Sequence, residues 1–213
     1  MDAFYASAFA RIRHASESTM ISTGIPRFCL TALLFALTAI SLAPKQVSAG
    51  EAPVQYMQRA ANELLSAARS GTAYAFADVL NKHADQPSIG LYSLGSYAGN
   101  LSTGDRQPFY SGMIGFLARY GASQAPKYPV RSVTMVSQTK ETRSGVYVDS
   151  VVTLNDGTTY DVRWWLIRRG GSYKVGDVSV LGFWGREQLK RLFEGYITEN
   201  GGNPKALIVA LNR

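Results

Sequence analysis

From residue 54 to residue 68 apolar side chains return every three or four positions (Val54, Met57, Ala61, Leu64, Leu65, Ala68), with Gln55, Arg59, Asn62 and Glu63 largely on the other side. That spacing predicts an amphipathic helix with Pro53 in its first turn, where a missing N–H is harmless. Gly71 ends it, and Thr72 stands where a cap is needed for a second helix through Phe76, Val79 and Leu80 to about His83. Asp85-Gln86-Pro87 interrupts the chain before a short helical turn at residues 88–94, and Gly95, Gly99 and Gly104 make a loop. A longer helix is predicted over residues 105–122, its apolar stripe formed by Phe109, Met113, Phe116, Leu117 and Tyr120.

Beyond Pro126 and Pro129 the period changes to alternation, and four strands are predicted at residues 130–140, 145–154, 159–169 and 172–181. Asn155-Asp156-Gly157 and Arg169-Gly170-Gly171 carry the residues tight hairpins require, which makes these strands an antiparallel meander. A helix over residues 186–199, a Gly201-Gly202 break and a short apolar helix over residues 204–211 close the chain. Helices, then an antiparallel sheet, then helices is an α+β order, and a sheet wrapped by helices along one face can enclose an apolar cavity. In the third strand Tyr160, Val162, Trp164 and Leu166 point one way and Asp161, Arg163, Trp165 and Ile167 the other; in the second, Val146, Val148, Ser150, Val152 and Leu154 share a face.

One stretch fits neither pattern. Residues 28–43 (FCLTALLFALTAISLA) form an uncharged apolar run of 16 residues, short of the roughly 20 that span a bilayer. Arg27 precedes it and Val47-Ser48-Ala49 follows, so residues 1–49 are expected to be a signal peptide cut after Ala49, leaving one domain over residues 50–213 for export to the periplasm. Met20 opens a more conventional signal than Met1, which leaves the start codon open between them. Cleavage removes Arg11, Arg13, Arg27 and Lys45 with Asp2 and Glu17, lowering the formal charge from +7 to +5, and takes away Cys29, the single cysteine. The mature chain then has no disulfide and no thiol chemistry. Its basic surface suits anionic lipid head groups or simple solubility, and no Lys/Arg cluster is dense enough for nucleic acid.

The residues offer little chemistry. His83 is the only histidine after residue 49, and no Gly-x-Ser-x-Gly elbow accompanies it. No second His or Cys completes a metal site. Asp149 and Asp161 fall on neighbouring strands, where outward-facing charge is the ordinary explanation, and the glycine-rich stretches lack the context of a phosphate loop. No catalytic residue, metal or cofactor is therefore expected. What stands out is large apolar side chains, with Trp164, Trp165, Phe183 and Trp184 inside 21 residues; aromatics at strand spacing are usually core packing.

Several short motifs, in order, resemble the MlaC family of periplasmic phospholipid-binding proteins, also called toluene-tolerance proteins. They are the opening helix from Tyr56 to Ala68; Leu94-Gly95-x-Tyr97; the helix bearing Arg106, Tyr110, Phe116 and Tyr120; Tyr173-Lys174-Val175-x-Asp177-Val178-x-Val180-x-Gly182; and Asn200-Gly201-Gly202 before Leu207. Two positions depart from the family pattern: Phe183-Trp184 stands in place of an aliphatic-Ser-Leu run, and Tyr173 in place of tryptophan. The resemblance implies an NTF2-like or MlaC-like fold that clamps acyl chains in an apolar cavity. It also implies a monomeric carrier moving phospholipid between an outer-membrane lipoprotein complex and an inner-membrane ABC transporter, so maintaining outer-membrane lipid asymmetry. A hopanoid, cargo of a related branch, stays open as the ligand. Expected lining residues are Met135, Val148, Val152, Trp164, Leu166, Val178 and Val180 from the sheet with Phe116 and Tyr120 from the long helix; Arg106, Arg119 and Arg186 are candidates for head-group or partner contact. Two other readings remain at this point: a small NTF2-like enzyme, which needs an acid-base residue deep in the pocket, and an envelope interaction module with a solid core.

Overall fold

The computed structural model describes residues 52–213, so the expected signal peptide, Cys29 and the choice of start codon lie outside the described residues. Helix α1 (Pro53–Ser70) ends on Gly71, whose φ of 66° lets its N–H return to the Ala67 carbonyl. Thr72 caps α2 (Ala73–His83) by accepting from the Ala75 N–H, and the Asp85 carboxylate caps α3 (Gln86–Ser93) by accepting from Ser88. A 3-10 turn (Gly95–Asn100) leads to α4 (Thr103–Gln124), where Ser102 accepts from the Asp105 N–H and donates to its carboxylate. The last two helices are α5 (Gly185–Glu199) and α6 (Pro204–Leu211). Among the described residues no helix is long and apolar enough to cross a membrane.

Between α4 and α5 lie β1 (Val130–Glu141), β2 (Val146–Leu154), β3 (Thr159–Arg169), β4 (Ser172–Val180) and β5 (Phe183–Trp184), an antiparallel meander in sequence order. The sheet thus has five strands where four were expected. The extra one is a two-residue strand, too short for alternation to register, created when Leu181 and Gly182 turn the chain back with φ of 54° and 86°. Positive φ at both central residues is what a two-residue hairpin needs, and holding a leucine there costs on the order of 1 kcal/mol. Opposite Trp165 and Leu166, Gly176 makes an extra step in β4 that bends the sheet; a Cβ there would sit 2.6 Å from the Ile167 side chain.

Three packed clusters hold these elements. α1 lays Tyr56, Met57, Ala60 and Ala61 on Val146, Val148, Leu166 and Tyr173 of the sheet. α3 to α6 surround Phe109, Met113, Phe193 and Ile197, and Phe76, Ala67 and Ala118 join α2 to α1 and α4. α3 and α5 reach the sheet along β4. Its free edge pairs with Ala84, and the Asp85 N–H donates to the Val175 carbonyl at 2.8 Å. The buried Asp85 carboxylate also accepts from Arg169 at 2.7 Å. Further along, Asp177 accepts from the Arg186 N–H at the start of α5 and from its guanidinium, which lies 4.4 Å from the centres of both the Tyr92 and Trp165 rings.

The α1–α2 joint is polar. The Glu63 carboxylate accepts from His83 Nε2–H at 2.8 Å and from Lys82 at 2.7 Å; in that tautomer His83 Nδ1 accepts from the Tyr56 hydroxyl at 3.1 Å. The Lys82 ammonium holds the Glu63 carboxyl below its ordinary value of 4.5, helped by His83 and opposed by burial. A depressed carboxylate stabilises the fold above its unfolded value and ceases to as pH falls through the folded one. Glu63→Gln is therefore expected to cost about 0.5–1 kcal/mol at neutral pH, the gap to wild type closing as urea melts are repeated at pH values descending below 4.5; a gap unchanged across that range would remove Glu63 from the acid response.

Candidate functional site

Strand register collects the uncharged side chains on one face. Across β2, β3 and β4 the paired rows are Val146, Leu166 and Val175; Val148, Trp164 and Val178; Ser150, Val162 and Val180; and Val152 with Tyr160. Val133 and Met135 of β1 fall opposite Val152 and Ser150 on the same face. Two polar side chains in these rows meet each other: Trp164 Nε1–H donates to Ser150 Oγ at 2.9 Å, and that hydroxyl points on to the Val162 carbonyl. The Arg168–Glu141 pair marks the Tyr173 end of the inner face. On the other face Arg163 grips Asp149 with two bonds of 2.7 and 2.8 Å and holds its carboxyl below the usual range. This accounts for Asp149 as half of an ion pair; register sets Asp161 opposite Val151.

The inner face is covered unevenly. α1 runs along β1 and reaches β2, α3 and α5 approach β4, and α4 packs on α2 and α6. Val146, Val148 and Leu166 have no accessible surface beneath α1. At the other end Val152, Tyr160, Val178 and Val180 are only half-buried and belong to none of the packed clusters. The result is a stripe of apolar surface that the protein's own helices leave open.

The nine expected lining residues divide accordingly. Val148 and Leu166 are core, pinned under Met57 and Ala61. Val152, Val178 and Val180 lie on the open stripe, with Trp164 at its border, half-buried and touching the α1 cluster. Met135 is half-buried at the α1 contact and also edges an open groove of about 1110 Å³ over Gln55, Gln58, Asn62 and Glu63, the polar face of α1. Phe116 meets Phe193 edge-on at 6.0 Å in the helical core, and Tyr120 is half-buried one turn further along α4. The three arginines part in the same way. Arg186 is locked between Tyr92, Trp165 and Asp177, Arg119 donates to the Leu211 carbonyl at 2.9 Å, and Arg106 is exposed in the first turns of α4.

The family model described as MlaC protein matches residues 54–213, from the first turn of α1 to the last residue. The chain belongs to the MlaC family. The same fold is found in a phospholipid-binding protein from Ralstonia solanacearum solved in complex with a phospholipid; it is 20% identical, the match covers 75% of this chain and 94% of that one, and the TM-score is 0.59. No curated protein sequence matches.

In this MlaC chain, Tyr160 is the stripe residue that sequence reasoning left off its candidates, although it alternates in step with Val162 and Trp164. Ser150 was equally legible as an inner-face residue, but only the structure reveals it as the partner of the Trp164 indole. Ser150→Ala leaves that N–H unpaired and is expected to lower stability by about 1 kcal/mol, read as a reduced urea midpoint; an unchanged midpoint would mean water replaces the hydroxyl without cost.

Proposed function

We propose that this protein is a periplasmic carrier that holds a phospholipid by its acyl chains on the open end of the sheet's inner face, between the strands and the helical layer. The head group stays near solvent. The observation that carries this reading is the half-buried, uncharged stripe of Val152, Tyr160, Val178 and Val180 outside every packed cluster. Apolar surface left open within an otherwise packed fold marks a binding site for an apolar partner. Roughly thirty tail carbons at about 0.8 kcal/mol each make a free lipid in water prohibitive, so a carrier must cover most of them.

Membership in the MlaC family and the phospholipid held by the Ralstonia solanacearum protein support the ligand class. Tails are inferred to lie against Val152, Val178, Val180, Trp164 and Tyr160, with Phe116 and Tyr120 facing them from α4, and Arg106 is the arginine left free for a head group or partner. Export follows from residues 1–49 acting as a signal peptide removed after Ala49. Working as a monomer, the carrier would pass lipid between an outer-membrane lipoprotein complex and an inner-membrane ABC transporter. Binding rather than catalysis is favoured because both ring nitrogens of His83 are engaged within the α1–α2 joint, which leaves no nitrogen for a substrate proton.

Native mass spectrometry of protein purified from the periplasm without detergent tests these points together. The expected species begins at Gly50 and carries about one lipid, identified after solvent extraction as phospholipid; a hopanoid would change the cargo and keep the site. Val152→Arg places a charge on the stripe and is expected to abolish the bound species while circular dichroism remains native, the cost of burying an unpaired guanidinium exceeding the gain of tail contact. Wild-type protein that is lipid-free and takes none from vesicles would end the carrier reading, and full occupancy in Val152→Arg would move the site off this stripe.

A further inference from the structure

The shortest strand of the sheet leaves a large apolar side chain more than half exposed. Register sets Phe183 opposite Val180 and Trp184 opposite Ser179, so the two aromatics leave the hairpin on opposite faces. Trp184 goes to the outer face, where its ring lies 5.9 Å from that of Tyr147. Phe183 goes to the inner face, beside Val180 at the uncovered end of the stripe, and remains 54% exposed.

Its position is held firmly from both sides. The turn before it is the positive-φ pair Leu181–Gly182, and Leu181 is the single non-glycine residue with positive φ among the described residues. Two residues after Trp184, the backbone N–H of Arg186 is clamped by the buried Asp177 carboxylate at 2.9 Å. A phenyl ring has no polar atom to satisfy in water, unlike exposed Tyr92, whose hydroxyl donates to Glu187 at 2.8 Å. An apolar ring fixed at the rim of an apolar stripe gains burial only when something apolar lies across that stripe.

We propose that Phe183 is the rim contact for the lipid tails, buried by them when cargo is bound and setting how long it is retained rather than whether it is bound. The proposal rests on the carrier reading above and assigns a retention-determining residue to the same site. Leaving the ring uncovered in the free protein and covered in the complex makes the contact one that exists only with cargo, so its loss acts on the rate of release.

The test compares wild type, Phe183→Ser, Phe183→Leu and Trp184→Phe, each loaded with pyrene-labelled phosphatidylglycerol and mixed with phosphatidylcholine vesicles while transfer is followed by fluorescence. Phe183→Ser is expected to keep about one lipid per protein in native mass spectra and a native thermal melt, yet release its lipid about tenfold faster, the effect of losing part of a phenyl ring's burial. Phe183→Leu should restore most of the retention, and Trp184→Phe, changed on the outer face, should release at the wild-type rate. Loaded Phe183→Ser that releases as slowly as wild type overturns the rim assignment and leaves the carrier reading intact. Equal acceleration in Trp184→Phe also overturns it, by showing that any change to the hairpin speeds release. Wild type that never loads overturns the carrier reading and this proposal with it.

Discussion

Two buried carboxylates, Asp85 in the segment beside β4 and Asp177 on β4 itself, set the relation of helices to sheet on which the rest of the structure depends. Asp85, its side chain 2% exposed, caps α3, joins Arg169 at 2.7 Å and sits in the segment that pairs with Val175; Asp177, 6% exposed, caps α5 and holds Arg186. Each negative charge is answered by an arginine and by backbone N–H groups, the condition under which a buried carboxylate is tolerated at all. Because both anchors lie at β4, the α3–α5 layer is fixed to one side of the sheet, while α1 is fixed to the other by apolar contact with β1 and β2.

That arrangement explains the open stripe. α1 has apolar residues enough to cover the Val146, Val148 and Leu166 end of the inner face, and its C-terminal half then turns its apolar positions to α2 and α4 through Ala67, Ala68 and Leu64. Among the described residues no helix runs along β3, so the far end keeps its valines and Tyr160 half-exposed. Exposed apolar area disfavours a fold by about 25 cal/mol per Å², and a protein selected for stability alone would cover it. In the carrier reading proposed above, a lipid tail supplies the missing layer.

The neighbouring polar features belong to packing. Tyr56, His83, Glu63 and Lys82 join α1 to α2 through a chain of hydrogen bonds, the outer face of the sheet spends its charge on the Arg163–Asp149 pair, and the Arg168–Glu141 pair lies at the Tyr173 end of the inner face, away from the open stripe. The inner stripe therefore carries no formal charge to compete with a tail, and its one hydroxyl–indole pair is closed on itself.

The order of elements was legible in the chain because each rests on short-range physics. The three-to-four spacing of Val54 to Ala68, the capping residue Thr72, and the turn residues at 155–157 and 169–171 act within a few residues of themselves. Strict alternation in β2 and β3 likewise assigned the inner face, since a strand's period of two leaves no other choice. What the chain by itself could not disclose were relations between distant segments. Val148 and Val152 share a face and a residue type, yet one is sealed beneath α1 and the other is open, a difference made by where a helix about 90 residues upstream comes to rest. Arg106, Arg119 and Arg186 were equivalent as cations until folding gave Arg119 the Leu211 carbonyl and Arg186 its two rings and Asp177. Local periodicity determined the elements and their faces; only tertiary packing decided which parts of those faces were filled, because burial is settled by whichever neighbour arrives and not by the residue that is covered.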